Sequence, residues 1–155
     1  MDNIDLKIIA ILQENGRVSN LGIGSSIGIS EGTVRRRLKH LLDNKIINIA
    51  AIPDLERMGY NASALVGIQT DPDKIESVAD RLCELSEIQY VTLTTGSFDI
   101  FVWIALPTAK ELGVFLREKL GLTPGIRRTE TFVSLSTKKP TFSNKNGLES
   151  SKLSS

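Results

Sequence analysis

The chain of 155 residues is the size of one ordinary domain or two small ones, and its 24% charged and 41% apolar residues are typical of a folded protein. No run of about 18 apolar residues occurs, and the amino terminus MDNIDLK lacks a signal-peptide pattern, so we expect a cytoplasmic protein without a membrane segment. A single cysteine, Cys83, and a single histidine, His40, exclude a disulfide framework and leave little material for a metal site. We therefore expect no metal and no cofactor.

The net charge of +1 conceals a cluster of basic residues near the amino end. Five of the seven Lys and Arg residues in segment 1–52 lie between positions 35 and 45. A focused positive element on a nearly neutral chain indicates a local anionic partner rather than a generally basic surface.

Three helices are predicted in the amino-terminal third, at about 2–14, 20–26 and 30–43, from apolar residues that recur every three or four positions. The second helix contains two glycines, each of which costs about 1 kcal/mol relative to alanine, so we expect it to be weak alone. Ser30 is a suitable N-cap for the third helix. The short turn at Gly28 between the second and third helices is typical of a helix-turn-helix unit.

The third helix carries the candidate DNA contacts, because small and basic residues lie opposite its apolar stripe, with Arg35 and Arg37 on the flanks. Gly32 and Thr33 at its amino end permit close approach to base edges together with Arg36, and the other cations suit phosphates. The full candidate set is Ser30, Gly32, Thr33, Arg35, Arg36, Arg37, Lys39 and His40. The alternative is a basic helix face that is only solvated.

After residue 53 the pattern changes to alternating strands and helices. The predicted elements are a strand at 63–70, a helix starting at Asp71-Pro72, strands at 88–95 and 98–106, a helix starting at the capping box Thr108-x-x-Glu111, and a strand at 126–136. This order is the split βαβ, or ferredoxin-like βαββαβ, pattern. The fold class is therefore α+β, with a three-helix helix-turn-helix domain followed by a ferredoxin-like domain.

The predicted domain organisation has four parts. They are a helix-turn-helix domain at 1–52 that ends in a linking strand at 47–52, a linker at 53–62, the βαββαβ domain at 63–137, and a flexible tail at 138–155.

The predicted third strand is apolar on both faces, with Phe98, Ile100, Val102 and Ile104 on one face and Phe101 and Trp103 on the other. Two helices can cover only one face of a four-stranded sheet. A second copy of the same sheet would cover the other face economically, so we expect a homodimer. The alternative is that the linking strand covers this face, although it is small for that purpose.

These motifs together resemble the Lrp/AsnC family of regulators, also called leucine-responsive or feast/famine regulators. The resemblance rests on Asp5, Ile11-Leu12-Gln13, Gly16-Arg17-x-Ser19, Gly28-Ile29-Ser30-x-x-Thr33-Val34-x-x-Arg37, Gly96-x-x-Asp99 and Pro124-Gly125-Ile126. It covers about residues 2–137. The chain departs from it at Gly22-Ile23-Gly24, where the family usually has Glu-Leu-Ala, and we expect the glycines to loosen this helix.

The resemblance implies a transcriptional regulator that binds operator DNA as a dimer, with four dimers often closing into an octamer. It also implies a small effector, usually an amino acid, that binds between dimers at the Gly-x-x-Asp loop and the facing last strand. The implied effector residues are Thr94, Thr95, Gly96, Ser97, Asp99, Thr129 and Thr131. A carboxylate such as Asp99 suits an ammonium group, although Asp99 and its neighbouring threonines could also serve only to close a hairpin.

Two other functions remain open at this point. An effector-free architectural DNA-binding protein would share every motif above. The sirohaem decarboxylases also resemble this family, but such an enzyme would need His and Arg around a tetrapyrrole, and the second domain contains no histidine.

Overall fold

A computed structural model describes residues 1–138, so the predicted flexible tail lies outside the described residues except for its first residue. The described residues form two compact units, 1–52 and 53–138, and each has its own core. No helix in this part of the chain is long and apolar enough to cross a membrane.

The amino-terminal unit contains the three predicted helices, α1 (Asn3–Glu14), α2 (Asn20–Ile27) and α3 (Glu31–Asp43). Each begins with a side chain that accepts hydrogen bonds from backbone N–H groups of the first turn, and these caps are Asp2, Ser19 and Ser30. Gly28 separates α2 from α3 with a φ of 74°, a left-handed conformation that glycine adopts without a steric penalty. The predicted helix-turn-helix arrangement is confirmed.

The core of this unit is aliphatic, and its fully buried hydrophobic side chains are Ile8, Ile23, Val34 and Leu41. All three helices contribute to it, so none of them packs independently. Gly24 is buried beside the turn, where a Cβ would lie 2.6 Å from the carbonyl oxygen of Ile29. This glycine therefore allows the backbone of α2 to lie close to the backbone of Ile29. The space that an alanine methyl group would fill is already occupied, so no cavity is left there.

The linking strand predicted at 47–52 is not formed. This segment has no regular secondary structure, because none of the strands in residues 1–138 pairs with it. Ile49 and Ile52 are exposed, while Ile47 packs partly against the core of the amino-terminal unit. The alternation of apolar residues was the right pattern for a strand, but a strand also needs a hydrogen-bonding neighbour.

The carboxyl-terminal unit contains β1 (Ala62–Thr70), α4 (Ile75–Cys83), β2 (Ile88–Leu93), β3 (Ile100–Leu106), α5 (Ala109–Phe115) and β4 (Ile126–Val133). The π-helical segment Leu116–Leu120 continues α5. The four strands form one antiparallel sheet in the order β2-β3-β1-β4. This is the predicted ferredoxin-like topology.

Several element boundaries differ from the prediction. The segment Asp71-Pro72 does not begin α4, because the Lys74 N–H donates to the Asp71 carbonyl and closes a turn before the helix. Strands β2 and β4 are shorter at their carboxyl ends than predicted, and β3 starts at Ile100. Each of these differences lies at an element end, where local hydrogen bonds compete with helix or strand.

The side of the sheet covered by α4 and α5 forms the main core, around Val66, Ile68, Val102 and Ile104. Phe98 was predicted on that side but lies on the other. Its ring occupies the space over Gly67, 2.7 Å from where a Cβ would stand, and packs edge-on to Phe101 with ring centroids 5.5 Å apart.

The opposite face of the sheet is rich in partly exposed aromatic side chains. The pairing of the strands with β1 and β3 places five side chains on this face: Leu65, Tyr90, Phe101, Trp103 and Phe132. We call this set, together with Phe98, the aromatic face. Tyr90 is 60% exposed and Phe132 is 46% exposed, so the described residues leave much of this face uncovered.

Candidate functional site

The amino end of α3 carries small side chains, is held by hydrogen bonds and is exposed. The Ser30 hydroxyl accepts the Thr33 N–H at 3.2 Å and is 2.9 Å from the Thr33 hydroxyl. Apart from its chain neighbours and the backbone of its own helix, no atom of the described residues lies within 4 Å of the position that a Cβ on Gly32 would occupy. This end of the helix can therefore approach another surface without displacing a side chain.

The exposed cations of α3 differ in their partners. Arg35 pairs with Glu31 at 2.6 Å and Lys39 pairs with Asp43 at 2.7 Å, and both basic side chains are at least 70% exposed. Such surface pairs contribute at most about 1 kcal/mol, so each cation can exchange its carboxylate for a phosphate at little cost. Arg36 is exposed and has no salt bridge to any described residue.

His40 is oriented by Asn44, a residue that the sequence analysis missed. The Asn44 amide donates both to His40 Nδ1 at 3.0 Å and to the His40 carbonyl at 2.8 Å. The spacing of four residues at a helix end was the available signal for this contact.

Arg37 is not presented like the other cations. Its guanidinium pairs with Asp2 at 2.7 Å and with Asp5 at 3.0 Å, and its side chain is only 24% exposed. It lines a cavity of about 370 Å³ together with Asp5, Arg36 and His40.

The loop between β2 and β3 holds the first group of predicted effector residues in one tight hairpin. The Thr94 N–H donates to the Asp99 carbonyl at 2.8 Å, and the Thr94 hydroxyl donates to the Phe98 carbonyl at 2.7 Å. Gly96 has a φ of 110°, which favours glycine. The N–H groups of Thr95, Gly96 and Ser97 donate to no other described residue.

Thr70 and Gln69 at the end of β1 hold this loop, and the sequence analysis missed both. Asp99 Oδ2 accepts the Thr70 N–H at 2.8 Å and lies 3.4 Å from the Thr70 hydroxyl. The Gln69 amide donates to the Ser97 carbonyl at 2.7 Å. Asp99 therefore does close the hairpin, while Oδ1 accepts no hydrogen bond from the described residues.

Thr129 and Thr131 do not join this loop within the single chain. Both lie on β4 and pair with Ile68 and Val66 of β1. The Asp99 N–H donates to the Ile68 carbonyl from the other side of β1, where β3 lies. Two strand spacings, about 10 Å, separate the two groups. Among the described residues there is also no group of three or more His, Cys, Asp or Glu that could hold a metal ion.

A helix-turn-helix unit with an exposed cationic helix, followed by a ferredoxin-like unit, defines a two-domain regulator of transcription. The AsnC-type helix-turn-helix domain matches residues 1–42, and the Lrp/AsnC ligand binding domain matches residues 63–143. The chain belongs to the Lrp/AsnC family of transcriptional regulators.

Its relatives agree with this assignment. The chain is 39% identical to an uncharacterised HTH-type transcriptional regulator of Pyrococcus furiosus, over 90% of this chain and 95% of that protein. The structure of Escherichia coli AsnC matches with a TM-score of 0.83 and 25% identity, over 90% of this chain and 95% of AsnC. A transcriptional regulator of Neisseria meningitidis, solved in complex with L-Met, matches with a TM-score of 0.84 and 24% identity, over 90% of this chain and 93% of that one.

Proposed function

We propose that this regulator places α3 in the major groove of double-stranded DNA in the cytoplasm. The observation that carries the proposal is the exposed face of α3, where open space at Gly32 adjoins Arg36, which has no salt bridge within residues 1–138. Gly32, Thr33 and Arg36 approach base edges, and Arg35, Lys39 and His40 contact phosphates. Phosphate contacts predict that affinity falls steeply as salt rises.

We propose that the aromatic face joins two copies into a homodimer. Exposed Tyr90 and Phe132 support this, because large aromatic surfaces left open on one chain are typical of interfaces. A twofold dimer predicts two DNA half-sites separated by about one helical turn or a multiple of it. Sedimentation equilibrium measures the mass directly and distinguishes a dimer from an octamer.

We propose an amino acid as the effector, bound at the β2–β3 loop. The free N–H groups of Thr95, Gly96 and Ser97 suit an α-carboxylate, and Asp99 Oδ1 suits an α-ammonium group. Because β1 separates this loop from Thr129 and Thr131, those threonines would reach a bound effector from another copy. The L-Met complex of the Neisseria protein supports this class of ligand. The effector acts by binding two assembly states with different affinity.

The test is a thermal-shift screen of the purified protein against the standard amino acids. A ligand at a hundredfold excess over its dissociation constant stabilises the native state by about 2.7 kcal/mol. The informative variant is Asp99→Asn, because an amide oxygen still accepts the Thr70 N–H while the charge is lost. Asp80→Asn, the same change at an exposed position of α4, is the matched control.

A rise in melting temperature with one or a few amino acids, lost in Asp99→Asn and kept in Asp80→Asn, supports the proposed site. No rise with any amino acid, from a protein that still binds DNA, contradicts an amino acid effector and favours the architectural alternative.

A further inference from the structure

Arg37 lies in α3, yet its guanidinium is bound to the first turn of α1. Nη1 donates to Asp2 Oδ2 at 2.7 Å and to Asp5 Oδ1 at 3.0 Å. The side chain is 24% exposed, compared with 70% for Arg35, and Nε is buried without a hydrogen-bond partner among the described residues. The head group of Arg37 is thus enclosed between two helices of the amino-terminal unit.

The two carboxylates are themselves fixed by the cap of α1. Asp2 Oδ1 accepts the N–H groups of Ile4 and Asp5, and Asp5 Oδ2 accepts the Asp2 N–H. Each carboxylate therefore uses one oxygen for the capping box and the other for Arg37. Backbone hydrogen bonds, and next the Arg37 guanidinium, hold the pKa of both carboxyl groups below the usual value.

The charge of this cluster is unsuited to DNA. One guanidinium between two carboxylates carries a net charge of −1, so an approaching phosphate meets repulsion rather than an available cation. Arg36 and His40 line the same cavity as Arg37 and Asp5, and both are exposed. The orientation of α3 relative to α1 therefore determines where the side chains of Arg36 and His40 lie.

We infer that Arg37 is a positioning residue for DNA binding, which sets the orientation of α3 through Asp2 and Asp5 and does not contact phosphate itself. This replaces the phosphate contact predicted for Arg37 from the sequence, and it rests on the proposed binding of DNA by α3. The physical reason is that a guanidinium between two fixed carboxylates restricts α3 in both translation and rotation.

The experiment measures affinity against salt concentration by fluorescence anisotropy, with a duplex that the full-length protein selects from a random pool. The variants are Arg37→Gln, Arg37→Lys, Asp5→Asn and, as the matched phosphate-contact control, Arg35→Gln. Loss of a phosphate contact reduces the slope of log affinity against log salt by about 0.9, whereas loss of positioning lowers affinity at every salt concentration and leaves the slope unchanged.

We expect Arg35→Gln to reduce the slope and Arg37→Gln to weaken binding about tenfold at an unchanged slope, with part of the affinity restored in Arg37→Lys. Asp5→Asn gives a second test, in which the two roles predict affinity changes of opposite sign. Removing an acid near DNA tightens binding if only charge matters, but weakens binding if the acid positions α3. Its amide oxygen can still accept the Asp2 N–H and preserve the cap, so this variant carries the test if Arg37→Gln fails to fold.

The inference is overturned if Arg37→Gln reduces the slope as much as Arg35→Gln, if it leaves both slope and affinity unchanged, or if Asp5→Asn tightens binding. Failure of the DNA-binding proposal looks different, because the unmodified protein would then select no duplex.

Discussion

The two units of this chain are stabilised in different ways. The amino-terminal unit has an aliphatic core of four buried side chains and no Phe, Trp or Tyr in its 52 residues. Side-chain caps on all three helices, and the Asp2–Asp5–Arg37 cluster, supplement this core. The carboxyl-terminal unit buries thirteen core residues, and its α4 has no side-chain cap.

The difference in how the two units are stabilised follows from the surface that each unit exposes. A small unit buries a smaller fraction of its surface, so local polar contacts account for more of its stability. These contacts leave the basic face of α3 exposed. The larger unit has enough burial to support a sheet that exposes an aromatic face and the β2–β3 loop.

The largest effect should come from the same cavity made in each core. Ile23→Ala and Ile68→Ala both truncate fully buried side chains, and each should cost about 3 kcal/mol. We expect Ile23→Ala to unfold the amino-terminal unit and abolish DNA binding, while Ile68→Ala lowers the melting point of a carboxyl-terminal unit that remains folded. Fluorescence of the single Trp103 reports on the second unit, and circular dichroism reports on the helices of both. Equal tolerance of the two substitutions would contradict the comparison.

A smaller effect concerns the aromatic face, which the amino-terminal unit lacks. In Gly67→Ala the new Cβ would stand 2.7 Å from the Phe98 ring, so the ring must move, at a cost of about 1–3 kcal/mol. Gly113→Ala is the matched control, because its nearest neighbour is the flexible end of Arg117 at 3.4 Å. Urea unfolding should show a loss only for Gly67→Ala, and a harmless Gly67→Ala would show that Phe98 does not depend on this space.

The two glycines of α2 provide a contrast of up to about 2 kcal/mol within the smaller unit. Gly24→Ala gains helix propensity, but its Cβ would stand 2.6 Å from the backbone carbonyl of Ile29, so we expect a net loss of about 1 kcal/mol. Gly22→Ala meets only side-chain atoms of Val18 and Ser19 at 3.1 Å and 3.4 Å, so we expect a gain of up to about 1 kcal/mol. Thermal unfolding of both variants decides this, and stabilisation by Gly24→Ala would be the contrary result.

The smallest effect is the loss of stability in acid. Backbone hydrogen bonds and then Arg37 lower the pKa of Asp5, and the Lys119 ammonium lowers the pKa of Glu87 in the other unit. A lowered pKa in the folded state gives stability that is present above the unfolded value and is lost as pH falls through the folded value, here below about pH 4. The melting temperature, measured from neutral to acid pH, should depend less steeply on pH in Asp5→Asn for the first unit and in Glu87→Gln for the second. An unchanged pH dependence of the melting temperature in both variants would show that these ion pairs do not contribute to stability.

Local patterns were sufficient to predict most of the fold. Apolar periodicity, the caps at Ser30 and Thr108, and the turn at Gly28 predicted three helices and the βαββαβ order, which the structure and the family comparison confirm. These signals are local because a helix or a turn closes its hydrogen bonds among neighbours in sequence. The segment 47–52 shows the limit of such patterns, since a strand depends on a partner elsewhere.

The roles of individual side chains depended on contacts between distant residues. Arg37 has the same residue type as Arg36 and follows it in α3, about 100° further around the helix. The packing of α1 against α3 places Arg37 beside Asp2 and Asp5. The pairing of Asp99 with Thr70 likewise spans 29 positions. Sequence determines which elements form, because their hydrogen bonds and periodicity are local. Tertiary packing determines which charged groups remain free to bind a partner, because a charge is satisfied by whatever opposite charge the fold brings near it.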